Sequence, residues 1–244
     1  MQQERRRQLL AILEKEHSAS VHSLSARLYA SEASVRRDVA ALEKEGLVRR
    51  VYGGVLLSEY ENAVVPLAVR DDDHAAAKEL LARRAAAMVG DDETIFLDAS
   101  STVRRMVRHL RGRKGLTIIT NNQRIFDELE HCEARVYCTG GEYSRENHVF
   151  AGPAAERFVR SVTADWLFFS SQGISEDGEV SDYSEQETSL RRAMIERSHK
   201  RVCLMDASKL GRRCAFSLCS REEIDVLLCD AKTDFLCNER NTEG

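Results

Sequence analysis

The chain has 244 residues, a formal net charge of −4, 43% hydrophobic residues, and only 13 Gly and 2 Pro. That length holds one large domain or two ordinary ones, and the scarcity of Gly and Pro excludes a chain dominated by disorder. No run of about 18 apolar residues occurs, so no transmembrane helix is expected. The first apolar stretch is cut by Glu14, Lys15 and Glu16, too early for a secretory leader, so a cytoplasmic protein is expected.

A first helix is predicted from Gln3 to Glu16, with Leu9, Ile12 and Leu13 on one side and Arg5, Arg6 and Arg7 as a solvated face. Ser20 is placed to cap a second helix carrying Leu24 and Leu28, and Tyr29-Ala30 make a short turn. Ser31 then caps a third helix. Its Val35, Val39 and Leu42 recur at i, i+4 and i+7, and Gly46 ends it. The opposite face presents Ala33, Ser34, Arg37, Ala40 and Ala41, with Arg36 on the flank. Small residues let a helix sit deep in a groove, and arginines reach guanine edges or phosphates. Leu47 to Leu57 reads as two short strands around Gly53-Gly54, with Arg49, Arg50 and Tyr52 close to the turn. A helix followed by a basic hairpin is the layout of a winged helix-turn-helix. The candidate DNA contacts are Ser31, Ser34, Arg36, Arg37, Arg49, Arg50 and Tyr52.

Residues 58–74 have no sustained period, include Pro66 and contain three consecutive aspartates, which reads as a linker. The expected division is therefore 1–57, a linker over 58–74, and 75–244. Residues 1–57 hold ten Lys/Arg against seven Asp/Glu, and the remainder 26 against 33. A slightly basic module on an acidic body suits a reader of polyanions.

From Ala75 the pattern changes. A helical run to Val89 precedes strand-like blocks alternating with helical ones. The strands are Thr94 to Asp98, Leu116 to Thr120, Arg135 to Thr139, Asp165 to Ser171, Arg201 to Asp206 and Asp225 to Cys229. The helices are Ser101 to Leu110, Gln123 to Leu129, one opened by Pro153, and Glu185 to His199. Apolar strands separated by helices imply an α/β domain with a mostly parallel sheet covered on both faces.

Ligands of parallel sheets bind at the carboxyl ends of the strands. Those ends carry Asp98 to Thr102, Thr120 to Asn122, Ser170 to Gly173, and Asp206 to Gly211 with Lys209. A single Ser or Thr there is ordinarily a helix cap. Four such clusters at four strand ends make a pocket suited to a phosphate and to sugar hydroxyls. No dinucleotide or Walker fingerprint occurs, so no NAD or ATP cofactor is supported. No nucleophile elbow or Ser/His/Asp setting is visible. The seven cysteines contain no C-x-x-C pair, and His131-Cys132 has no second ligand pair at suitable spacing, so neither a disulfide framework nor a metal site is expected.

The stretch VHSLSARLYASEASVRRDVAALEKEGLVRRVYGG resembles the N-terminal DNA-binding domain of DeoR-type transcriptional regulators. Ser31, Glu32, Arg36, Arg37, Asp38, Leu42, Glu43, Gly46, Arg50, Gly53 and Gly54 match the family pattern, while Ser34, Val35 and Tyr52 replace its usual Thr, Ile and His. DETIFLDASST, TIITNN, Gly140-Gly141, Gly173 and LMDASKLG resemble the effector domain of the same family, which is similar in fold to ribose-5-phosphate isomerase. The resemblance implies a repressor of sugar catabolism genes that binds operator DNA as a dimer or tetramer. It is released by a phosphorylated sugar, held at Asp98, Ser100, Ser101, Thr102, Thr120, Asn121, Gln172, Gly173, Asp206 and Lys209. It departs at Ser100-Ser101 and at Ser170, where the family has other small residues, and at the polar tail KTDFLCNERNTEG, where the family adds a helix and a strand. The alternative is a sugar-phosphate isomerase with a DNA-binding appendage, its carboxylates supplied by Asp98, Asp206 and Glu187.

Overall fold

The computed structural model describes residues 2–16, 18–45, 47–51, 54–57, 74–129, 132–145 and 147–231. Gly46, Tyr52, Gly53, the linker over residues 58–73 and the tail from residue 232 lie outside the described residues. The chain divides into two compact units, Met1–Ala75 and Ala76–Gly244.

The first unit runs α1 (Gln2–Glu16), β1 (Ser18–Ser20), α2 (Val21–Arg27), α3 (Glu32–Lys44), β2 (Val48–Val51) and β3 (Gly54–Leu57). The two serine caps form as read. Ser20 Oγ accepts the Ser23 N–H and Ser31 Oγ the Ser34 N–H, each satisfying one orphan donor of a helix start. Leu9 and Leu13 of α1, Leu24 of α2, and Val35, Val39 and Leu42 of α3 close one core over Val48 and Val55 of the hairpin. Each such side chain contributes about 1.5–3 kcal/mol when fully buried. β1 was not legible in the sequence. It pairs antiparallel with β3, Ser18 opposite Leu56, and widens the hairpin to three strands in the order β1-β3-β2.

One charged residue lies in this core. Asp38 is fully buried and accepts from Arg5 Nε (2.5 Å) and Arg6 Nε (3.3 Å). Arg5 and Arg6, expected on a solvated face, therefore clamp α1 onto α3, while Arg7 stays exposed beside Glu4.

The second unit begins with α4 (Ala75–Ala86) and contains β4 (Thr94–Leu97), α5 (Ser101–Arg104), β5 (Thr117–Thr120), α6 (Gln123–Glu128) and β6 (Arg135–Cys138). It continues through a hairpin, β7 (Glu142–Ser144) and β8 (Val149–Ala151), to α7 (Pro153–Arg160) and β9 (Ala164–Phe169). Then come β10 (Gly173–Ile174), β11 (Glu179–Asp182), α8 (Glu185–Glu196), β12 (Ser198–Met205), β13 (Phe216–Ser220) and β14 (Val226–Cys229). Six strands form a wholly parallel sheet in the order β14-β12-β9-β4-β5-β6.

Strand alternation feeds two cores. Ile95, Leu97, Trp166, Phe168, Val202 and Leu204 pack with α4, Val103, Met106 and Ile125 on one face. Phe96, Leu167, Phe169, Cys203 and Met205 pack with Ala155 and Val159 of α7 and Leu190, Ala193 and Met194 of α8 on the other. Burial pushes the Cys203 thiol up, and that of Cys219 to about 12, so both act as small apolar side chains.

Two expectations change. The helix expected from Ser101 to Leu110 stops at Arg104 and continues as a turn and a 3-10 segment, Val107–His109. The helix expected to His199 ends at Glu196, and β12 starts at Ser198. β7–β8 and the small antiparallel sheet β10-β11-β13 are additions.

The carboxyl ends of these elements are tied by Arg191 on α8, whose side chain is 5% exposed. Its Nε donates to Asp98 Oδ2 (3.0 Å) and its Nη1 to Asp182 Oδ2 (3.1 Å), and Glu187 Oε2 stands 3.9 Å from Nη2. Burial alone would lower the pKa of this guanidinium. The pull of Asp98, Asp182 and Glu187 outweighs burial and raises it, so Arg191 stays charged.

Removing one member of each cluster gives a direct check by thermal melting. Asp38→Ala is expected to cost the first unit about 1.5–3 kcal/mol, the value of charged hydrogen bonds lost. Arg191→Met is expected to cost the second unit about 3–5 kcal/mol, because three carboxylates are left facing one another. An unchanged melting temperature in either variant would contradict the corresponding assignment.

Candidate functional site

The first candidate surface is the exposed side of α3. Val35, Asp38, Val39 and Leu42 are buried, and Ser31, Ala33, Arg36 and Arg37 are exposed. Ser31 Oγ and Ser34 Oγ are 3.0 Å apart, and Arg37 Nη2 donates to Ser34 Oγ (3.2 Å). The three side chains form one polar line from the start of the helix. Arg36 lies off this line and pairs with Glu32 (3.0 Å). In the hairpin, Arg49 and Arg50 are both exposed, and Glu43 accepts from Arg50 N–H (2.9 Å) and Nε (2.6 Å). That bond stations the Arg50 guanidinium beside α3. Tyr52 lies outside the described residues.

The second candidate site is at the carboxyl end of the large sheet. After β4 and β5 the chain enters segments packed on one face, whereas after β6 and β9 it leads to α7 and α8 on the other. The crevice between β4 and β9 is thus a topological switch point, where such sheets hold ligands. Asp98 and Ser170 end those two strands. The Asp98 carboxylate accepts from Ser100 N–H (3.0 Å), Ser170 N–H (3.1 Å) and Arg191. It is 2% exposed and both its oxygens accept hydrogen bonds from these groups, which ties the two strand ends together. Ser100 Oγ caps Val103 N–H (3.2 Å). Ser101 and Thr102 are buried beside it.

Beyond β5, Thr120 Oγ1 accepts from Asn122 N–H (3.1 Å), and Asn121 Nδ2 donates to Phe150 O (3.1 Å). Beyond β9, Lys209 Nζ donates to Ser170 Oγ (3.0 Å). Asp206 caps the 3-10 turn that carries Lys209, accepting from Ser208 N–H (3.3 Å). Gln172 N–H donates to Ser181 O (3.2 Å). Gly173 is required by packing. A Cβ there would stand 2.6 Å from Arg212 O, so any side chain would displace the segment that follows Lys209.

Four side-chain atoms in this region are buried without a hydrogen-bond partner: Thr102 Oγ1, Asn121 Oδ1, Asn147 Oδ1 and Thr188 Oγ1. Two are amide oxygens whose NH2 ends are already committed, Asn121 to Phe150 O and Asn147 to Glu187 Oε1 (3.5 Å). Each is a buried acceptor, and a buried acceptor without a donor costs about 1–3 kcal/mol. Asn147, Asp182, Thr188 and Arg191 were not singled out by sequence reasoning, and Glu187 only as a carboxylate of the isomerase alternative. The available signal was a charged pair, Glu187 and Arg191, on the helix stripe of Leu190 and Met194. Among the described residues no group of His, Cys, Asp and Glu is arranged to hold a metal ion, and no helix is long and apolar enough to cross a membrane.

Residues 5–61 match the DeoR-like helix-turn-helix domain, and residues 73–231 match the DeoR C terminal sensor domain. The chain is 31% identical to the HTH-type transcriptional regulator GolR of Listeria innocua over 94% of this chain and 91% of that protein. It is 31% identical to the transcriptional repressor AccR of Agrobacterium fabrum over 95% of this chain and 90% of that protein. Among solved structures it overlaps ribose 5-phosphate isomerase A of Methanocaldococcus jannaschii with a TM-score of 0.41 and 16% identity, over 55% of this chain and 53% of that one. Likeness at that level has no bearing on ligand or chemistry. The two matched domains span nearly the whole sequence in the same order as the relatives, and the chain belongs to the DeoR family of helix-turn-helix transcriptional regulators.

Proposed function

We propose that this protein is a repressor of sugar catabolism genes, released from its operator by a phosphorylated sugar. Residues 1–57 read DNA, 58–74 link, and 75–244 sense. In the reading unit, α3 enters the major groove with Ser31, Ser34, Arg36 and Arg37, while Arg49, Arg50 and Tyr52 follow the adjacent backbone. A homo-oligomer, dimer or tetramer, presents two such helices to a two-fold symmetric site in the cytoplasm.

The observation that carries the sensing half is the gathering of hydroxyls, amides and one lysine at the strand ends, with Lys209 Nζ on Ser170 Oγ beside Asp98. Asn121 lies at the sugar end of the ligand. Lys209, with Ser101, Thr102 and Gln172, takes the phosphate end, and Asp206 holds the Lys209 turn in place. Asp98, Ser100, Thr120 and Gly173 fix the backbone around the ligand. Sensing and DNA reading are coupled only to the extent that the ligand prefers one of two states of the protein.

Two variants test the halves separately. Arg37→Ala is expected to weaken operator binding by about 1–3 kcal/mol while leaving the circular dichroism spectrum intact, because Arg37 lies opposite the buried stripe. Unchanged affinity would remove α3 from the groove. Lys209→Ala is expected to lose about 1.5–3 kcal/mol of effector affinity with DNA binding near wild type in its absence. The readout is a titration of sugar phosphates against a preformed operator complex. Release of the variant at the wild-type concentration would place Lys209 outside the site.

A further inference from the structure

Tyr29 is the most exposed large side chain of apolar character in the described structure, 97% exposed, the next being Leu47 at 44%. Its backbone is also unusual, with φ +49. The other non-glycine residues at positive φ among the described residues are His74, Asp92 and His148, types that enter this region more readily. A tyrosine there is an outlier, and Gly or Asn would hold the same conformation with less strain. The turn is fully specified without the ring. Leu28 N–H donates to Leu24 O (2.9 Å), Tyr29 N–H to Ala26 O (3.4 Å), and Ala30 N–H to Ser25 O (3.0 Å). The phenol contributes nothing to the fold that holds it, which directs attention to a role outside the molecule.

Its location says which role. Tyr29 stands two residues before Ser31, where the polar line Ser31–Ser34–Arg37 begins. Arg27 and Arg36 are also exposed there. An apolar protein partner would meet hydroxyls and guanidinium groups around a single ring. A nucleic-acid backbone would meet hydroxyls and guanidinium groups there, with Glu16 and Glu32 neutralised by Arg27 and Arg36. We infer that Tyr29 is a DNA-backbone contact, its hydroxyl donating to a phosphate oxygen and its ring lying against the adjoining deoxyribose. Contacts of this kind fix the register of a recognition helix without reading a base. The inference rests on the DNA-reading assignment of α3 and adds a residue to it.

The test uses the full chain and a short random-sequence duplex at low salt, with Tyr29→Phe and Tyr29→Asn. Phe keeps the ring and removes the donor. Asn relieves the backbone, so its melting temperature is expected at or above wild type. Both variants are expected to bind about two- to tenfold more weakly, the worth of one hydrogen bond. The dependence of log affinity on log salt is expected to stay unchanged, because a neutral phenol releases no counterion, whereas Arg49→Ala flattens it. Full affinity in Tyr29→Phe overturns the hydroxyl contact, whatever Tyr29→Asn does. If wild type binds, Arg49→Ala weakens it and the Tyr29 variants do not, the inference alone fails. If folded wild type does not bind the duplex, the DNA-reading assignment fails with it.

Discussion

One buried guanidinium organises the sensing unit. Arg191 draws together Asp98 at the end of β4, Asp182 at the end of β11 and Glu187 one turn back on α8. Through Asp98 it also fixes Ser170 at the end of β9, and through Glu187 it reaches Asn147 between β7 and β8. Taking one cation and three carboxylates out of water is expensive, and their mutual attraction offsets that cost only while the set is complete. The cluster is therefore a poor source of net stability and a strong source of specificity. It ties the strand ends together in a unit where Thr102 Oγ1, Asn121 Oδ1, Asn147 Oδ1 and Thr188 Oγ1 are buried without partners.

The same physics appears once in the first unit, on a smaller scale. Asp38 follows Arg36 and Arg37 directly, yet faces the opposite way, into the core, where Arg5 and Arg6 reach it. A helix turn thus separates two functions within three residues. Arg37 is left on the outside with Ser34, and Asp38 secures α3 against α1. The clamp matters because a recognition helix reads a groove only if its angle to the rest of the unit is fixed.

Periodicity made most elements legible: the apolar stripe of α3, the runs Thr94–Leu97 and Ala164–Phe169, the caps Ser20 and Ser31, and Pro153 at the start of α7. What escaped was short or polar. β1 has three residues, β10 has two, and β11 reads Glu-Val-Ser-Asp, which carries no alternation long enough to register. The truncation of α5 was hidden because Val103, Met106, Val107 and Leu110 keep a helical spacing through the 3-10 segment. In the candidate site, the strand-end residues were readable from their place after apolar runs. Their division of labour was not. Asp98 is tied to a residue 93 positions away, and no local pattern distinguishes a carboxylate that holds the backbone from one that faces a ligand.

We propose that a ligand at the β4–β9 switch point and DNA at α3 favour different states of one protein. The most direct measurement follows both on the full chain, recording melting temperature and release from operator DNA across one panel of sugars with and without phosphate. The account predicts that a phosphorylated sugar gives the largest stabilisation and also drives release, since a ligand that binds one state raises its stability and shifts its population. A sugar phosphate that stabilises the protein while leaving the operator complex intact would contradict it, as would release driven only by sugars without phosphate.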